Sequence, residues 1–364
     1  MIVDLIAAAR PNFMKVGPLY KMLSRETDWC RPRLVHTGQH YDANMSSAFF
    51  GDLGLPRPDI HLGIGSGTHG EQTAGVIMAY EKVCLESAPD WVVVVGDVNS
   101  TLACTLAAKK IGIPVAHLEA GLRSGDRTMP EELNRLVTDA LADLLWTPSA
   151  DGDENLKREG IPAERIVRVG NIMIDALEMS RQRIEASNFS RAFGFKPRGF
   201  GVVTLHRPSN VDDSGKLEAL VQMLEACAAR LPLVFPVHPR TRKQLVQFGF
   251  WDRLKRSQGM HLIEPVGYVD FMSLVFSTKV VITDSGGLQE ETTYLGIPCI
   301  TLRENTERPV TVLEGTNQLM KPEQVPDAVA RILRDEWPLG RAPDLWDGRT
   351  ATRVVASLKK HLVN

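Results

Sequence analysis

Residues 279–292 read KVVITDSGGLQEET: an apolar run of strand length, then Asp284-Ser285-Gly286-Gly287, then a segment with helical periodicity. The adjacent glycines free the backbone to turn its N–H groups toward an anion where the next helix begins. With Leu288 at the origin and about 100° per residue, Thr292 and Leu295 share its buried face. Glu290 then points roughly opposite, Glu291 flanks the buried side, and Gly296 and Pro298 end the helix. The stretch is a strand, turn and helix of a parallel α/β sheet, with an anion site at the turn and a carboxylate close behind it. In dinucleotide folds the acid that accepts ribose hydroxyls stands about 20 residues on; here it follows within a few. No G-x-G-x-x-G or G-x-x-x-x-G-K-[ST] occurs at a strand-to-helix junction, which disfavours dehydrogenase and P-loop kinase readings.

The same alternation extends outward through the chain. MIVDLIAAA, RLVHTGQ, WVVVVGD, IPVAHLE and LLWTPS alternate with helix-period segments, and after IVRVGN and KPRGF the pattern restarts with GVVTLH, LPLVFPVHP, MHLIEPVG and PCITLR. Strands apolar on both faces and separated by helices indicate parallel sheets covered by helices. At 364 residues the chain exceeds the size at which a single core usually stops growing. The expectation is two α/β domains, residues 1–168 and 169–348, with a final helix at about 349–364 returning to the first.

With 43% hydrophobic residues, 24% charged residues and a formal net charge of -2, the composition is that of a soluble globular protein without bulk attraction for nucleic acid or anionic membrane. Cys30, Cys84, Cys104, Cys227 and Cys299 are far apart and form no CxxC pair, which argues against a zinc site and against a disulfide scaffold. A reducing cytoplasm fits. MIVDLIAAARPN lacks the basic start and the length of a signal or membrane segment, and reads as a first strand.

In an open parallel sheet the ligand sits at the carboxyl ends of the strands. Arg10 and Lys15 follow the first strand, with Pro11 preset for a helix start, and two cations there suit a diphosphate as well as a plain basic loop. Asp97 ends VVVVGD and Glu119 ends IPVAHLE, so both carboxylates belong to one sheet edge, where burial beside another carboxylate raises a pKa. Helix capping explains Asp97 almost as well, but does little for Glu119. In MPEELNR, Glu131 and Glu132 complement a helix dipole, and Glu131 pairs with Arg135 at i, i+4; Leu133, Val137, Ala140 and Leu144 mark the expected buried stripe. Read from its residues alone, that motif is structural. His206 with Arg207, and His238 with Arg240, each follow a strand, where histidine can hydrogen-bond a phosphate or move a proton near neutrality. Arg303 and Arg308 follow another strand, where a further phosphate cation would be useful.

Taken in order, ARPNFMKVGPL, TGQHYD, GDVNST, HLEAGLRS, PEELNR, HRPSNVD, VHPR, DSGGLQEE and ERPVTVLEGTN resemble the UDP-N-acetylglucosamine 2-epimerase family, most closely its bacterial non-hydrolysing type, over nearly the whole chain. The resemblance implies a GT-B architecture, with two Rossmann-like domains and a cleft between them, and a homodimer. It implies inversion at C2 of UDP-GlcNAc to UDP-ManNAc by elimination of UDP through 2-acetamidoglucal and re-addition, with no redox cofactor. Asp97, Glu119 and Glu131 fall on the family's catalytic acids, which raises Glu131 from a structural to a site residue. Arg10, Lys15, His206, Phe271, Ser285, Gly286, Gly287, Glu291 and Arg308 match nucleotide-sugar contacts, with Glu291 on the ribose and Ser285, the glycines and the cations on the diphosphate. His238 matches a family histidine of the same cleft. Replacing Glu291 is then expected to weaken UDP binding far more than replacing Glu290.

Two positions depart from the family pattern. Members activated by a second UDP-GlcNAc carry a glutamine and an arginine where this chain has Asp42, in TGQHYD, and Glu71, in HGEQT. An acid in place of a cation repels a second diphosphate, so that allosteric site is expected to be absent or altered. HRPSNVD in place of HRREN also admits a UDP-diacetamido uronic acid as substrate. A hydrolysing epimerase that releases ManNAc and UDP would carry much the same residues. A GT-B glycosyltransferase would leave the three acids surplus, and their presence disfavours a non-catalytic nucleotide-sugar-binding protein.

Overall fold

Val92, Val93, Val94 and Val95 are all buried, as expected of a strand covered on both faces. They form β4 (Trp91–Val95) at the centre of the first of two parallel sheets in a computed structural model that describes residues 1–38 and 54–362; the side chains of Arg10 and Leu362 also lie outside the description.

The other strands of that sheet are β1 (Ile2–Ala7), β2 (Arg31–His36), β3 (Ile60–His61), β5 (Val115–Leu118), β6 (Leu144–Thr147) and β7 (Ile166–Arg168), in the order β3-β2-β1-β4-β5-β6-β7. Every pairing is parallel, with Leu5 opposite Val93 and Val94 opposite His117. The order reverses between β1 and β4, which leaves a crevice at their carboxyl ends.

The second sheet comprises β8 (Gly201–Thr204), β9 (Leu233–Pro236), β10 (Met260–Ile263), β11 (Val280–Thr283), β12 (Cys299–Thr301) and β13 (Asn317–Leu319), in the order β10-β9-β8-β11-β12-β13, again all parallel. Its reversal lies between β8 and β11, where Ile282 faces Val203.

The chain divides into one unit of residues 1–179 with 344–364 and another of residues 180–343. The division falls after Met179 rather than after residue 168, because the helix Ile172–Ala186 begins in the first unit, where Asp175 accepts hydrogen bonds from the amides of Thr350 (3.1 Å) and Ala351 (2.8 Å) and so caps the final helix Thr350–Leu362. Trp146 donates its indole proton to Ser357 Oγ at 3.0 Å, which fixes that helix to β6. Among the described residues no helix is long and apolar enough to cross a membrane.

Candidate active site

At the crevice of the first unit, β1 runs into the helix Arg10–Leu23, which Pro11 can open because its missing N–H is an orphan there anyway. Asn12 accepts a hydrogen bond from the amide of Ala9 at 3.0 Å and donates to the carbonyl of Val95 at 3.2 Å, joining the ends of β1 and β4. One turn on, Lys15 forms a buried ion pair with Glu119. Gly96 lies between them and Asn12 with φ +65°, and a Cβ there would stand 2.9 Å from Lys15 Nζ. The left-handed backbone favours glycine there, and a side chain would push the Lys15 ammonium aside. Glu119 itself has φ 75°, a left-handed backbone unusual for a residue with a side chain, and such strain persists only where the surroundings over-determine it. Here the amides of Glu119 and Ala120 both donate to the carbonyl of Trp146 at 3.0 Å.

Asp97, following β4, pairs with Arg135, and its backbone carbonyl accepts from Asn134 Nδ2 at 2.9 Å. Arg135 also donates from Nε (3.0 Å) and Nη2 (2.7 Å) to Glu132, whose carboxylate accepts the amides of Ser124 (3.0 Å) and Gly125 (2.9 Å). Burial opposes ionisation of Glu132, but the Ser124 amide and Arg135 outweigh it and hold its carboxyl below the usual range.

The helix Pro130–Leu141 reverses the expected pattern. Glu132, Asn134, Arg135, Thr138 and Asp139 are buried, whereas Leu133 and Val137 are 48% and 40% exposed. The face turned inward is the polar one, because it supplies the partners of Asp97. Glu131 lies on the exposed side, whereas Asn134 and Arg135 are buried, so Arg135 pairs with Asp97 and Glu132 rather than with Glu131.

In the second unit the switch point is organised by Asp284, which is fully buried. It accepts from the amides of His206 (3.0 Å) and Arg207 (2.9 Å), from Asn210 (3.2 Å), and from His206 Nδ1 (2.8 Å). These bonds and the His206 imidazole keep its carboxyl below the usual range despite burial. With Nδ1 committed to Asp284, Nε2 is the nitrogen His206 has left for a ligand. The ring lies 5.8 Å from that of His238, and both line an open pocket with Leu205, Pro265, Val266 and Phe271. His238 accepts the amide of Arg240 at Nδ1 (3.2 Å), and burial, then the charge of His206, lower its pKa.

The helix Gly286–Leu295 starts beside a cluster of cations. Arg308 Nη1 would lie 2.9 Å from a Cβ on Gly286, so a side chain there would displace the guanidinium. Nothing stands within 4 Å of a Cβ on Gly287, so that residue simply leaves the helix terminus open. Arg303 is bonded twice to Glu307, at 2.7 and 2.9 Å, and Arg308 lies 3.5 Å from the same carboxylate. Burial opposes the ionisation of Glu307, yet Arg303 and Arg308 pull its pKa down to about 2. Arg207 donates to the carbonyl of Asp284 at 3.0 Å; burial, and then the charge of Arg303, lower its pKa. A guanidinium crowded by like charge at a helix N-terminus is disposed to receive an anion.

The two adjacent acids behind the turn are both buried, which corrects the outward orientation expected for Glu290. Glu290 Oε1 lies 2.9 Å from Arg308 Nε. Glu291 accepts the hydroxyl proton of Tyr268 at 2.8 Å, and burial raises its pKa to about 7, the Tyr268 bond acting against the rise.

The structure thus brings together Lys15, Asp97 and Glu119 at the switch point of one sheet, and His206, Ser285, Gly286, Glu291 and Arg308 at that of the other. Sequence reasoning assigns no site role to Asp284, Tyr268, Glu132 or Arg135. Asp284 carries a signal, an acid ending an apolar run; the others carry none. Glu71 forms a capping box at the start of the helix His69–Glu86: its carboxylate accepts the Thr68 amide at 2.8 Å, and the Glu71 amide donates to Thr68 Oγ1 at 3.3 Å. Asp42 lies outside the described residues.

Two all-parallel doubly wound sheets with charged groups at their switch points define an α/β protein of the GT-B type. The chain belongs to the UDP-N-acetylglucosamine 2-epimerase family, whose sequence profile matches residues 22–359. It is 41% identical to a UDP-N-acetylglucosamine 2-epimerase of Methanocaldococcus jannaschii, over 98% of this chain and 99% of that protein. The crystal structure of the M. jannaschii UDP-GlcNAc 2-epimerase in complex with UDP-GlcNAc and UDP superposes with a TM-score of 0.87 at 40% identity, covering 99% of this chain and 100% of that one. A UDP-2,3-diacetamido-2,3-dideoxy-D-glucuronate 2-epimerase of Pseudomonas aeruginosa is 39% identical over 98% of each chain.

Proposed function

We propose that the protein inverts C2 of a UDP-2-acetamido sugar, interconverting UDP-GlcNAc and UDP-ManNAc. A base removes the C2 proton, the C1–O bond breaks with its electron pair leaving on the UDP phosphate oxygen, and a C1=C2 double bond forms. UDP then adds back to C1 while a proton reaches the other face of C2. Atoms balance without a redox partner. The route needs acid/base groups at the sugar and a cationic hold on the leaving group.

The observation that carries this reading is the pair of carboxylates ending neighbouring strands, Asp97 after β4 and Glu119 after β5, each held against a cation. With Glu131 they supply the acid/base groups. Ser285, Gly286, Gly287, His206, Arg308 and the helix N-terminus of the second unit hold the diphosphate; Glu291 takes the ribose hydroxyls, and the pocket with His238 and Phe271 takes the base. Arg10 and Lys15 are the nucleotide-sugar groups of the first unit. The capping role of Glu71 supports the absence of activation by a second nucleotide sugar. The five described cysteines are all free and buried, which fits a cytoplasmic protein. Exposed Leu133 and Val137 support a homodimer; sedimentation as a lone monomer would exclude it. Supply of activated sugars for envelope polysaccharide is the fitting role.

Product analysis tests the chemistry. UDP-GlcNAc should give UDP-ManNAc with UDP still attached. Accumulation of free ManNAc and UDP would show that water traps the intermediate. Turnover of the UDP-diacetamido uronic acid alone would keep the chemistry and change the substrate.

A further inference from the structure

His117 lies on β5 two residues before Glu119 and is completely buried. Its Nδ1 stands 2.6 Å from Asp139 Oδ1 and its Nε2 stands 2.8 Å from the carbonyl oxygen of Gly96. A carbonyl and an ionised carboxylate can only accept, so both bonds form only if both ring nitrogens carry protons. Asp139 faces the Arg123 guanidinium and the Gly121 amide, groups that favour an ionised carboxylate. Burial opposes ionisation, but His117 and Arg123 hold its carboxyl below the usual range. Its second oxygen accepts the amide of Gly121 at 3.0 Å and lies 2.7 Å from Arg123 Nη1. Arg123 in turn is bonded twice to Glu159, at 2.8 and 2.7 Å.

The two ends of this pair therefore grip the backbone on either side of the acids. Gly96 immediately precedes Asp97, and its carbonyl is held at Nε2. Gly121 follows Glu119 by two residues, and its amide is held through Asp139. Both glycines are in the left-handed region, at φ +65° and +81°, and Glu119 is at φ 75°. Three positive-φ residues around two carboxylates need a fixed reference, and the His117–Asp139 pair joins the two loops through groups sealed from water.

We propose that His117 is a positioning residue, doubly protonated and paired with Asp139, that locks the loops carrying Asp97 and Glu119 in their strained geometry. It touches no reacting atom; it acts through the Gly96 carbonyl and, via Asp139, the Gly121 amide. The neutral imidazole, with one N–H, holds one loop and releases the other.

This inference rests on the C2 epimerisation proposed above, and two readouts separate its failure from the failure of that reading. The first is the side-chain 15N spectrum of selectively labelled wild-type protein with UDP bound, the His117 signal being identified by its loss in H117N or H117Q. Protons on both nitrogens are expected; one bare nitrogen overturns the proposal, whether or not the protein turns over substrate. The second is kinetic. H117N should lower kcat for C2 exchange about 100-fold, as expected when reacting groups shift by about 1 Å, with KM and UDP affinity unchanged. H117N/D139N should be no slower than the slower single variant. A kcat within about threefold of wild type, or a change confined to KM, overturns the proposal. If wild-type protein shows no exchange at C2, the functional reading fails and the spectrum still decides the state of His117.

Discussion

Tyr268 donates its hydroxyl proton to Glu291 Oε1 at 2.8 Å in a site that raises the Glu291 pKa to about 7. The ribose hydroxyls proposed to bind there are donors to an ionised carboxylate, so UDP should bind more tightly as pH rises through about 7. Stability runs the other way. The folded protein holds the Glu291 proton more tightly than the unfolded chain does, so this contribution is complete below the ordinary carboxylate value of 4.5 and is lost as pH rises through about 7. Calorimetric titration of UDP between pH 6 and 8 (about one unit either side of the shifted value) checks the first statement. Glu291→Gln should weaken UDP binding about 10- to 100-fold, the worth of a charge-assisted hydrogen bond, and remove the part of the pH dependence that Glu291 supplies.

Glu290 should answer to a different measurement. It is buried against Arg308 Nε at 2.9 Å, and breaking a buried pair from one side leaves a charge poorly compensated. Glu290→Gln is expected to lower stability by about 3 kcal/mol, visible as a lower denaturation midpoint. UDP affinity should fall less than in Glu291→Gln. Equal stability of the two variants would contradict the packing described for this helix.

Gly96 is where strand geometry and the Lys15–Glu119 pair meet. Gly96→Ala places a methyl group 2.9 Å from Lys15 Nζ in a left-handed backbone, a conformation that costs an L-residue about 1–2 kcal/mol. The variant should fold with reduced stability, bind UDP more weakly because the Lys15 ammonium is displaced, and lose most of its C2 exchange. Wild-type exchange in Gly96→Ala would show that the ion pair has no part in the chemistry.

Glu71 caps a helix through Thr68. Initial rates should therefore follow a simple hyperbola in either direction, and added UDP-GlcNAc should not accelerate turnover of UDP-ManNAc. Glu71→Ala should cost about 1 kcal/mol of stability through the lost cap and leave the rate curve hyperbolic. Sigmoidal kinetics in the wild type would contradict this.

How legible the sequence was depends on how many sides of an element are covered. The parallel sheets could be read directly, because strands buried on both faces are continuous apolar runs such as Val92 to Val95. Glu290 could not, since a helical wheel assumes one buried face. The helix Gly286–Leu295 packs on β12, β13 and the helix Val310–Leu313, which buries Leu288 through Thr293. The helix Pro130–Leu141 failed in the opposite sense: its apolar Leu133 and Val137 face out, while Arg135 and Asp139 face in to hold Asp97 and His117. Pairs such as Lys15 with Glu119 depend on strand order and register, which no local pattern encodes. The strand ends pointed to Asp97 and Glu119, and motif resemblance alone pointed to Glu131; the geometry supplied the partners of Asp97 and Glu119.

The central claim is proton removal at C2 by the acids of the first unit. It is tested most directly by incubating the protein with UDP-GlcNAc in D2O and following C2 by NMR, for wild type and for Asp97→Asn, Glu119→Gln and Glu131→Gln. The account predicts deuterium at C2 in a mixture of two UDP-sugars for the wild type, and loss of exchange with UDP binding largely retained in the amide variants. Epimerisation without deuterium incorporation, or undiminished exchange in all three variants, would contradict it.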